Sequence, residues 1–362
     1  MERRKFLKVA TGGAAASVAL AAPAISQDRK EMAIVSTWGR DFPGLGTSAQ
    51  RLAARIEQMT EGRIAVQYFA AGERVGAFDV FDVVSAGDAQ AYIGADYYWK
   101  GKHPGWSPFT AVPFGLTYTE MDAWMKFGGG QELLDKIGAE FNIKGMPCGN
   151  TGVQMGGWFN KEINSPDDLK GLKMRIPGLG GDVMAKVGAS PVSLPGGQIY
   201  ENLVSGAIDA TEWVGPWNDF FLKLYEAAKY YYWPGMHEPG SQLSLGMNKA
   251  WWDGLSDMDK QIIIACSAEE NAAQAAETNY QNGVYLTRLI NDYGVELREF
   301  NDDVYEAFGD AAEEVIEETR DHSALAAEII DSFLEVRNNV GAWSNLSDAP
   351  YVQKRNRYLG IN

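Results

Sequence analysis

The chain has 362 residues and a formal net charge of −16 at pH 7. That length exceeds what one hydrophobic core usually serves, so we expect two lobes. The acidic balance argues against a nucleic-acid partner or an anionic lipid surface, because like charges repel. It does not exclude a small anion bound at one local positive site.

Residues 1–24 have the features of a cleaved export signal. A basic start with Arg3 and Arg4 is followed by an Ala/Val-rich run that ends in the small-residue stretch 22–24. The apolar run is too short and too weakly hydrophobic for a permanent membrane anchor. The twin arginine indicates the bacterial twin-arginine route, so we expect a periplasmic protein.

The two cysteines, Cys148 and Cys266, would reach an oxidising compartment, where they could pair. Cys266 lies in an apolar stretch typical of a buried helix face, so we favour two unpaired cysteines over a disulfide. The sequence has no Cys-x-x-Cys motif, and its three histidines are too scattered to argue a zinc site.

Residues 32–250 alternate short apolar runs with helical patterns, which is typical of an α/β fold. The pattern predicts strands at 32–38, 63–69 and 89–95, with helices at 43–60 and about 77–86. A similar order recurs as a helix start at 165–171, a strand that carries Arg175, helices at 178–187 and 196–206, and a strand at 207–213. This weak repeat indicates two similarly wound lobes.

The C-terminal third is helical. Ser256 caps a long helix that reaches about Tyr293, and a second long helix is predicted from Asp302 to about Asn339. The simpler interpretation is a layer of helices that covers the sheets. The alternative is a terminal helix used for dimerisation.

Motifs of catalytic chemistry are scarce. The sequence contains no nucleophile elbow, P-loop or zinc-protease motif. The acidic pair Glu201 and Glu212 could serve a glycosidase, but the sequence does not place the two carboxylates at the required separation. The motifs therefore give little support to a catalytic function.

Three segments carry a more informative set of polar residues. The run 149–160 is strand-like and contains Gln154, and the strand at 173–178 contains Arg175, whose forked guanidinium suits a carboxylate. By the period-two rule alone Arg175 faces solvent. Glu212 beside Trp213 is an odd residue to bury unless a cation or an arginine offsets its charge.

These segments resemble the solute-binding proteins of tripartite ATP-independent periplasmic (TRAP) transporters, the DctP-type family. The resemblance is carried by GLKMRIPG (171–178) and by the run that continues to GAIDATEW (206–213), and it extends from about Met32 to at least Tyr351. With VPFGL (112–116), GNTGVQMGGWF (149–159) and HEPG (237–240), the chain looks closest to the branch that binds α-keto acids such as pyruvate.

The resemblance implies a two-lobed periplasmic-binding-protein fold with the ligand cleft between the lobes and long C-terminal helices. Residues 25–150 would form mainly lobe I and residues 151–250 mainly lobe II. Residues 251–362 would form the long helices, including a helix that this branch exchanges between the subunits of a homodimer.

The resemblance also implies a receptor, without catalysis, that hands a small 2-oxo or 2-hydroxy monocarboxylate to TRAP membrane permease subunits. The arginine of the family's central strand clamps the substrate carboxylate, and sodium or calcium bridges protein and ligand. The matching substrate-binding positions are Arg175, Trp213, Tyr97, Asn150 and Gln154, and the matching metal ligands are Gln154, Glu212, Trp213 through its carbonyl, and Glu238.

Two alternatives remain open at this point. One is a receptor of the same family for a sugar acid or a polyol. The other is an exported hydrolase that uses Glu212 or Glu238.

Overall fold

The computed structural model describes residues 29–361, so the predicted export signal at residues 1–24 lies outside the described part of the chain. Two β-sheets, each covered by helices, form two lobes. The α/β class expected from the alternating pattern is confirmed.

Lobe I contains the first sheet. Its strands are β1 (Lys30–Ser36), β2 (Ile64–Phe69), β3 (Ala91–Gly94), β4 (Ile143–Asn150) and β10 (Gln242–Asn248). They lie in the order β2-β1-β3-β10-β4, with β1 parallel to β2 and β3, and with β10 antiparallel to both of its neighbours. The helices of this lobe are α1 (Leu45–Met59), α2 (Val80–Ala86), α3 (Tyr118–Phe127), α4 (Gly130–Glu140) and the 3₁₀ helices Asp96–Trp99 and Pro104–Phe109.

Lobe II contains the second sheet. Its strands are β5 (Gly157–Phe159), β6 (Lys173–Arg175), β7 (Ser190–Val192), β8 (Ala210–Thr211), β9 (Tyr230–Trp233) and β11 (Glu296–Glu299). They lie in the order β11-β9-β5-β8-β6-β7, and β5 is antiparallel to β8 and β9. The helices of this lobe are α5 (Gly178–Lys186), α6 (Gly196–Val204), α7 (Pro216–Phe221), α8 (Leu224–Ala227) and the 3₁₀ helix Pro166–Leu169.

Local patterns explain most of these elements. In α1, Leu45, Ala49, Leu52 and Ile56 recur at spacings of three and four and are buried against the first sheet, as expected for an amphipathic helix. Strand β1 is buried along five consecutive residues because it lies between two neighbours under a helical layer.

Two loops carry the chain from one sheet to the other before the long C-terminal helices make the further crossings. One joins β4 to β5, and the other joins β9 to β10. The sequence predicted a strand-like run at 149–160, and this is wrong for its middle part. Gly152 and Gly157 have positive φ values of 67° and 119°, so the backbone leaves the extended conformation between the two strands. Strand β10 belongs to the sheet of lobe I although it falls in the range 151–250.

The C-terminal third consists of α9 (Lys249–Asp253), α10 (Asp257–Tyr293), α11 (Asp302–Asp321), α12 (Ala324–Ser344) and α13 (Asp348–Leu359). The predicted helix ending near Tyr293 is confirmed, and the Ser256 side chain accepts a hydrogen bond from the N–H of Asp259 at 3.1 Å. The single helix predicted at 302–339 is wrong. Ser323 is extended and its hydroxyl accepts from the N–H of Ala326 at 3.0 Å, so it caps a new helix.

The long helices connect the two lobes. Helix α10 packs on α1 and β4 of lobe I and on α7 of lobe II. Helix α11 packs on α5 of lobe II, whereas α12 packs on α3 and α4 of lobe I. Within residues 29–361, no helix has both the length and the apolar character needed to cross a membrane. Cys148 and Cys266 are both buried and unpaired, as favoured from the sequence.

Candidate functional site

A small cavity of about 20 Å³ lies between the lobes. The 3₁₀ helix after β3, the ends of β6 and β8, and both loops that join the lobes contribute to it. Ligand sites of α/β sheets lie beyond the carboxyl ends of strands, where loops from different elements meet. The lining residues are Trp38, Leu45, Ala95, Tyr97, Tyr98, Thr151, Gln154, Arg175, Trp213, Val214, Glu238, Ser241 and Leu243.

Arg175 is the last residue of β6 and is only 1% exposed. Its Nε donates to the carbonyl of Leu194 at 3.1 Å, and its Nη1 donates to both the carbonyl and the carboxylate of Glu212. The alternation of β6 is as predicted, with Lys173 exposed on the same side of the strand. The prediction that Arg175 faces solvent is wrong, because the end of this strand is covered in the cleft.

Glu212 follows β8 and is fully buried. One carboxylate oxygen bonds Arg175, and the other lies 3.4 Å from Nε2 of His237. Beside it, the ring of Trp213 lies 5.0 Å from the Arg175 guanidinium, in the geometry of a cation–π contact. Arg175 is therefore the positive partner that a buried Glu212 was expected to need.

Gln154 lies in the loop between β4 and β5. The hydrogen-bond acceptors around it determine the orientation of its side-chain amide. Its Nε2 donates to Oε2 of Glu238 at 2.8 Å and to the Thr151 hydroxyl at 3.0 Å. The ionised Glu238 carboxylate only accepts hydrogen bonds, so the amide nitrogen faces Glu238 in that form. The amide oxygen of Gln154 consequently points away from Glu238 and is buried without a donor.

The unpartnered buried atoms of this region form two complementary sets. Oε1 of Gln154 and Oε1 of Glu238 have no hydrogen-bond donor, Oε2 of Glu212 has only the long contact to Nε2 of His237, and Nη2 of Arg175 has no acceptor. Buried polar atoms almost always have a partner. Carboxylate and amide oxygens are the ligands that hard cations prefer, and a free guanidinium N–H suits an anion. These residues therefore fit a sodium or calcium ion together with a carboxylate.

His237 and Glu238 precede β10 and complete the charged cluster. One ligand atom from each of Glu212, His237 and Glu238 lies within 4.8 Å of the others. Burial raises the pKa of the Glu238 carboxyl to about 7, and the charge of Glu212 acts in the same direction. Burial lowers the pKa of His237, but Glu212 and Glu238 together more than offset this effect, so the pKa of His237 lies above its ordinary value.

Tyr97 and Asn150, also predicted for the site, have different surroundings. Tyr97 lines the cavity, and its ring lies against Gly178, where φ is +63° and a Cβ atom would lie 3.2 Å from the ring. Asn150 does not line the cavity. Its Nδ2 donates to the carbonyl of Gly240 at 3.1 Å and its Oδ1 accepts from the N–H of Gly152 at 2.8 Å. Asn150 thus holds the two loops that join the lobes.

Sequence reasoning missed several residues of the site: Trp38, Tyr98, Thr151, His237 and Ser241. His237 was considered only for a zinc cluster, although it belongs to the HEPG segment that carried the resemblance. Tyr98 and Thr151 each adjoin a predicted site residue. The sequence around Trp38 does not mark it as a site residue. Trp38 follows β1, and it reaches the cleft only because of the position of β1 in the sheet.

Residues 35–322 match the family described as bacterial extracellular solute-binding protein, family 7, or DctP. A monocarboxylate 2-oxoacid-binding periplasmic protein of Nostoc sp. strain PCC 7120 is 39% identical over 318 residues, which cover 88% of this chain and 87% of that protein.

Solved structures resemble the whole described chain. A TRAP periplasmic solute-binding protein from Colwellia psychrerythraea, with bound calcium and pyruvate, is 38% identical with a TM-score of 0.87, covering 90% of this chain and 99% of the other. One from Pseudoalteromonas atlantica T6c, with bound sodium and pyruvate, is 37% identical with the same TM-score and coverage. One from Bordetella bronchiseptica RB50, a mixed-occupancy dimer with calcium and picolinate, is 29% identical with a TM-score of 0.90, covering 92% and 99%.

The family match spans most of the chain, and the Nostoc relative is similar over most of both sequences. The two-lobed fold expected from the resemblance is confirmed by the same comparisons. The chain belongs to the DctP family of bacterial extracellular solute-binding proteins and is a solute-binding protein of the TRAP transporter type.

Proposed function

We propose that the chain is the periplasmic receptor of a TRAP transporter for small 2-oxo monocarboxylates such as pyruvate, bound together with sodium or calcium. The observation that carries this proposal is the buried grouping of Arg175, Gln154 and Glu238, which line one cavity and leave a guanidinium N–H and two oxygens without hydrogen-bond partners, with Glu212 paired to Arg175. The Nostoc relative and the two pyruvate-bound structures support the same ligand class.

The residues have distinct roles in this proposal. Nη2 of Arg175 donates to the ligand carboxylate, and the Trp213 indole packs against the apolar part of the ligand. The cation is held by the oxygens of Gln154, Glu212 and Glu238 and by the carbonyl of Trp213. When bound, the cation supplies positive charge to the ligand oxygens and to the buried carboxylates.

The charges of the site explain why a cation and an anion would bind together. Arg175 already pairs with Glu212 through Nη1, so a ligand carboxylate bound at Nη2 would share the single guanidinium charge with Glu212. A cation beside Glu212 would supply the positive charge that the second carboxylate needs. Without it, the cavity would hold a buried carboxylate of the ligand next to a buried carboxylate of the protein, which is costly.

The size of the cavity separates the proposed ligand from the alternatives. A cavity this small, walled by Trp38, Tyr97, Tyr98 and Trp213, suits a ligand of few heavy atoms better than a sugar acid. A polyol has no carboxylate for Arg175. We assign no catalytic role to Glu212 or Glu238, because the family to which the chain belongs consists of solute-binding proteins.

The partner proteins follow from the family. We propose delivery of the ligand to TRAP membrane permease subunits after export by the twin-arginine route. We also propose a homodimer through the C-terminal helices. Helix α13 has no buried residue, and Tyr351, Tyr358 and Leu359 on it are 65%, 79% and 70% exposed.

The ligand assignment is tested by a thermal-shift panel on the protein without residues 1–24. Pyruvate, lactate, longer 2-oxo acids, a sugar acid and a polyol are each measured with and without Na⁺ or Ca²⁺. Because a ligand that binds only the folded state raises the melting temperature, we expect the largest shift for a small 2-oxo acid together with a cation.

Two outcomes contradict the assignment. A shift with the polyol or the sugar acid alone would move the receptor to another ligand class. Turnover of any tested compound, abolished by Glu212→Gln, would establish a hydrolase in place of a receptor.

A further inference from the structure

The turn after β8, residues 212–216, is held from behind by a single carboxylate. Oδ1 of Asp219 accepts hydrogen bonds from the main-chain N–H groups of Val214 and Gly215, each at 3.1 Å. Asp219 is in α7 and is 1% exposed. This turn carries Glu212 and Trp213, so Asp219 lies directly behind two residues of the proposed cation site.

The bond to Val214 determines where the carbonyl of Trp213 points. Val214 N–H and Trp213 C=O belong to the same peptide plane, and this peptide is trans. In a trans peptide the two groups point in opposite directions. Because the N–H of Val214 points toward Asp219, the carbonyl of Trp213 points away from Asp219. In residues 29–361 no N–H or O–H donates to that carbonyl, which is left free as a cation ligand.

The other carboxylate oxygen fixes Asp219 itself. Oδ2 accepts from Nε1 of Trp158 at 2.9 Å and from the Tyr231 hydroxyl at 2.7 Å. The Trp158 and Tyr231 rings are stacked, with centroids 4.0 Å apart, on neighbouring strands β5 and β9. The carboxylate thus links a rigid part of the sheet of lobe II to the turn.

Burial of the Asp219 carboxylate is energetically unfavourable. Burial raises the pKa of Asp219 to about 6, and the four hydrogen bonds only partly oppose that effect. An asparagine would fit the space but not the donors. The amide nitrogen of this asparagine is a hydrogen-bond donor. It would face either the two main-chain N–H groups or the Nε1–H of Trp158, and all of these groups can only donate.

We propose that Asp219 is a positioning residue that aims the carbonyl of Trp213 at the cation. This inference rests on the proposed function, because it assigns to Asp219 the orientation of one of the proposed cation ligands. Outer partners of metal ligands act in this manner, and their loss commonly weakens metal binding by about 10- to 100-fold.

The test is Asp219→Asn, measured by titration calorimetry with pyruvate in the presence and absence of Ca²⁺ or Na⁺. We expect the cation-dependent gain in pyruvate affinity to fall by about tenfold or more. Cation-independent binding through Arg175 should be unchanged. A purely structural role would lower the melting temperature without changing this gain.

Two further variants separate the roles of the two oxygens. Tyr231→Phe and Trp158→Phe each remove one donor to Oδ2 and leave the bonds to Val214 and Gly215, so both should keep the cation-dependent gain. The double variant Asp219→Asn with Trp158→Phe removes the clash of donors, because the new amide can donate to the Tyr231 hydroxyl. We expect it to recover most of the lost gain.

The outcomes are distinguishable from a failure of the proposed function. If wild-type protein binds no 2-oxo acid with any cation, the proposed function fails. If wild-type protein shows the gain and Asp219→Asn shows it equally, the role of Asp219 is refuted.

Amide hydrogen exchange of the ligand-free wild-type protein needs no variant, and it covers the case in which Asp219→Asn does not fold. Protected Val214 and Gly215 amides support the proposal. Exchange of these amides at the rate of an unstructured chain would overturn it.

Discussion

At the scale of single residues, the buried pair of Arg175 and Glu212 dominates the site. Both side chains are at most 1% exposed, and each has a polar atom without a hydrogen-bond partner. Buried ion pairs contribute little net stability, but removal of one partner leaves an uncompensated charge. The pair is therefore better suited to exchange partners with a ligand and a cation than to stabilise the fold.

This view predicts a strong coupling between two substitutions. Arg175→Ala should lower the free energy of unfolding by about 3–5 kcal/mol in the ligand-free protein, because Glu212 stays buried and loses its guanidinium partner. Glu212→Gln introduced into that variant should restore part of the loss. Urea unfolding of both single variants and of the double variant measures the coupling as a double-mutant cycle. Additive losses would contradict a direct interaction of the two groups in the folded protein.

Arg175 also shows the limit of a local pattern. The alternation of β6 was predicted with the right phase, since Lys173 is exposed while Met174 is buried. The same alternation placed Arg175 in solvent. Lobe I covers the end of this strand, and periodicity within three residues contains no information about a segment that distant.

At the scale of elements, helix ends were predicted well where a capping residue was recognised. Ser256 begins α10, and Gly294 with φ of 64° follows its end. The pattern at 302–339 was read as one helix because its apolar spacing continues across the break. Ser323 is the capping residue at this break, and the continuous apolar spacing gave no sign of it. The Ser323 hydroxyl also lies 3.0 Å from Nε2 of His103.

A prediction about the oligomeric state follows from the exposed C-terminal helix α13. Tyr351, Tyr358 and Leu359 are seven and eight residues apart, which places them on one face of the helix. Replacing Tyr358 and Leu359 together by Glu should convert the proposed dimer to a monomer, measured by light scattering coupled to size-exclusion chromatography.

The matched control for this prediction is Gln353→Glu, which adds a charge on another face of the same helix. We expect it to leave the dimer intact. A wild-type protein that is monomeric at all concentrations would refute the proposed dimer.

At the scale of the whole molecule, side-chain contacts cross the cleft on both sides. Lys100, after the 3₁₀ helix of lobe I, donates to the carbonyl of Gly178 at 2.9 Å and to the carboxylate of Asp182 at 2.6 Å in α5 of lobe II. Elsewhere between the lobes, Nδ2 of Asn218 donates to the carbonyl of Pro43 at 2.9 Å. These contacts hold the lobes in the arrangement that encloses the cavity.

Loss of the Lys100 contact should speed the release of ligand. The lysine side chain is 33% exposed, so its ion pair contributes on the order of 0.2–1 kcal/mol and Lys100→Met should weaken pyruvate binding by about 1.4- to 5-fold. Stopped-flow measurement should show the change in the dissociation rate. Lys170→Met removes a surface pair with Asp167 within lobe II and serves as the control. Equal dissociation rates for both variants would rule out a closing role for Lys100.

The sequence by itself determined the α/β class, several helices and strands in each lobe, and the family, because periodicity, caps and motifs are local properties of the chain. It also indicated that Glu212 needs a positive partner, since a buried carboxylate without one is costly. The tertiary structure decided which atoms face the cavity. The amide of Gln154 is oriented by Glu238, 84 residues away, and the carbonyl of Trp213 by Asp219 across a turn. Hydrogen bonds between segments that only the folded chain brings together set these directions.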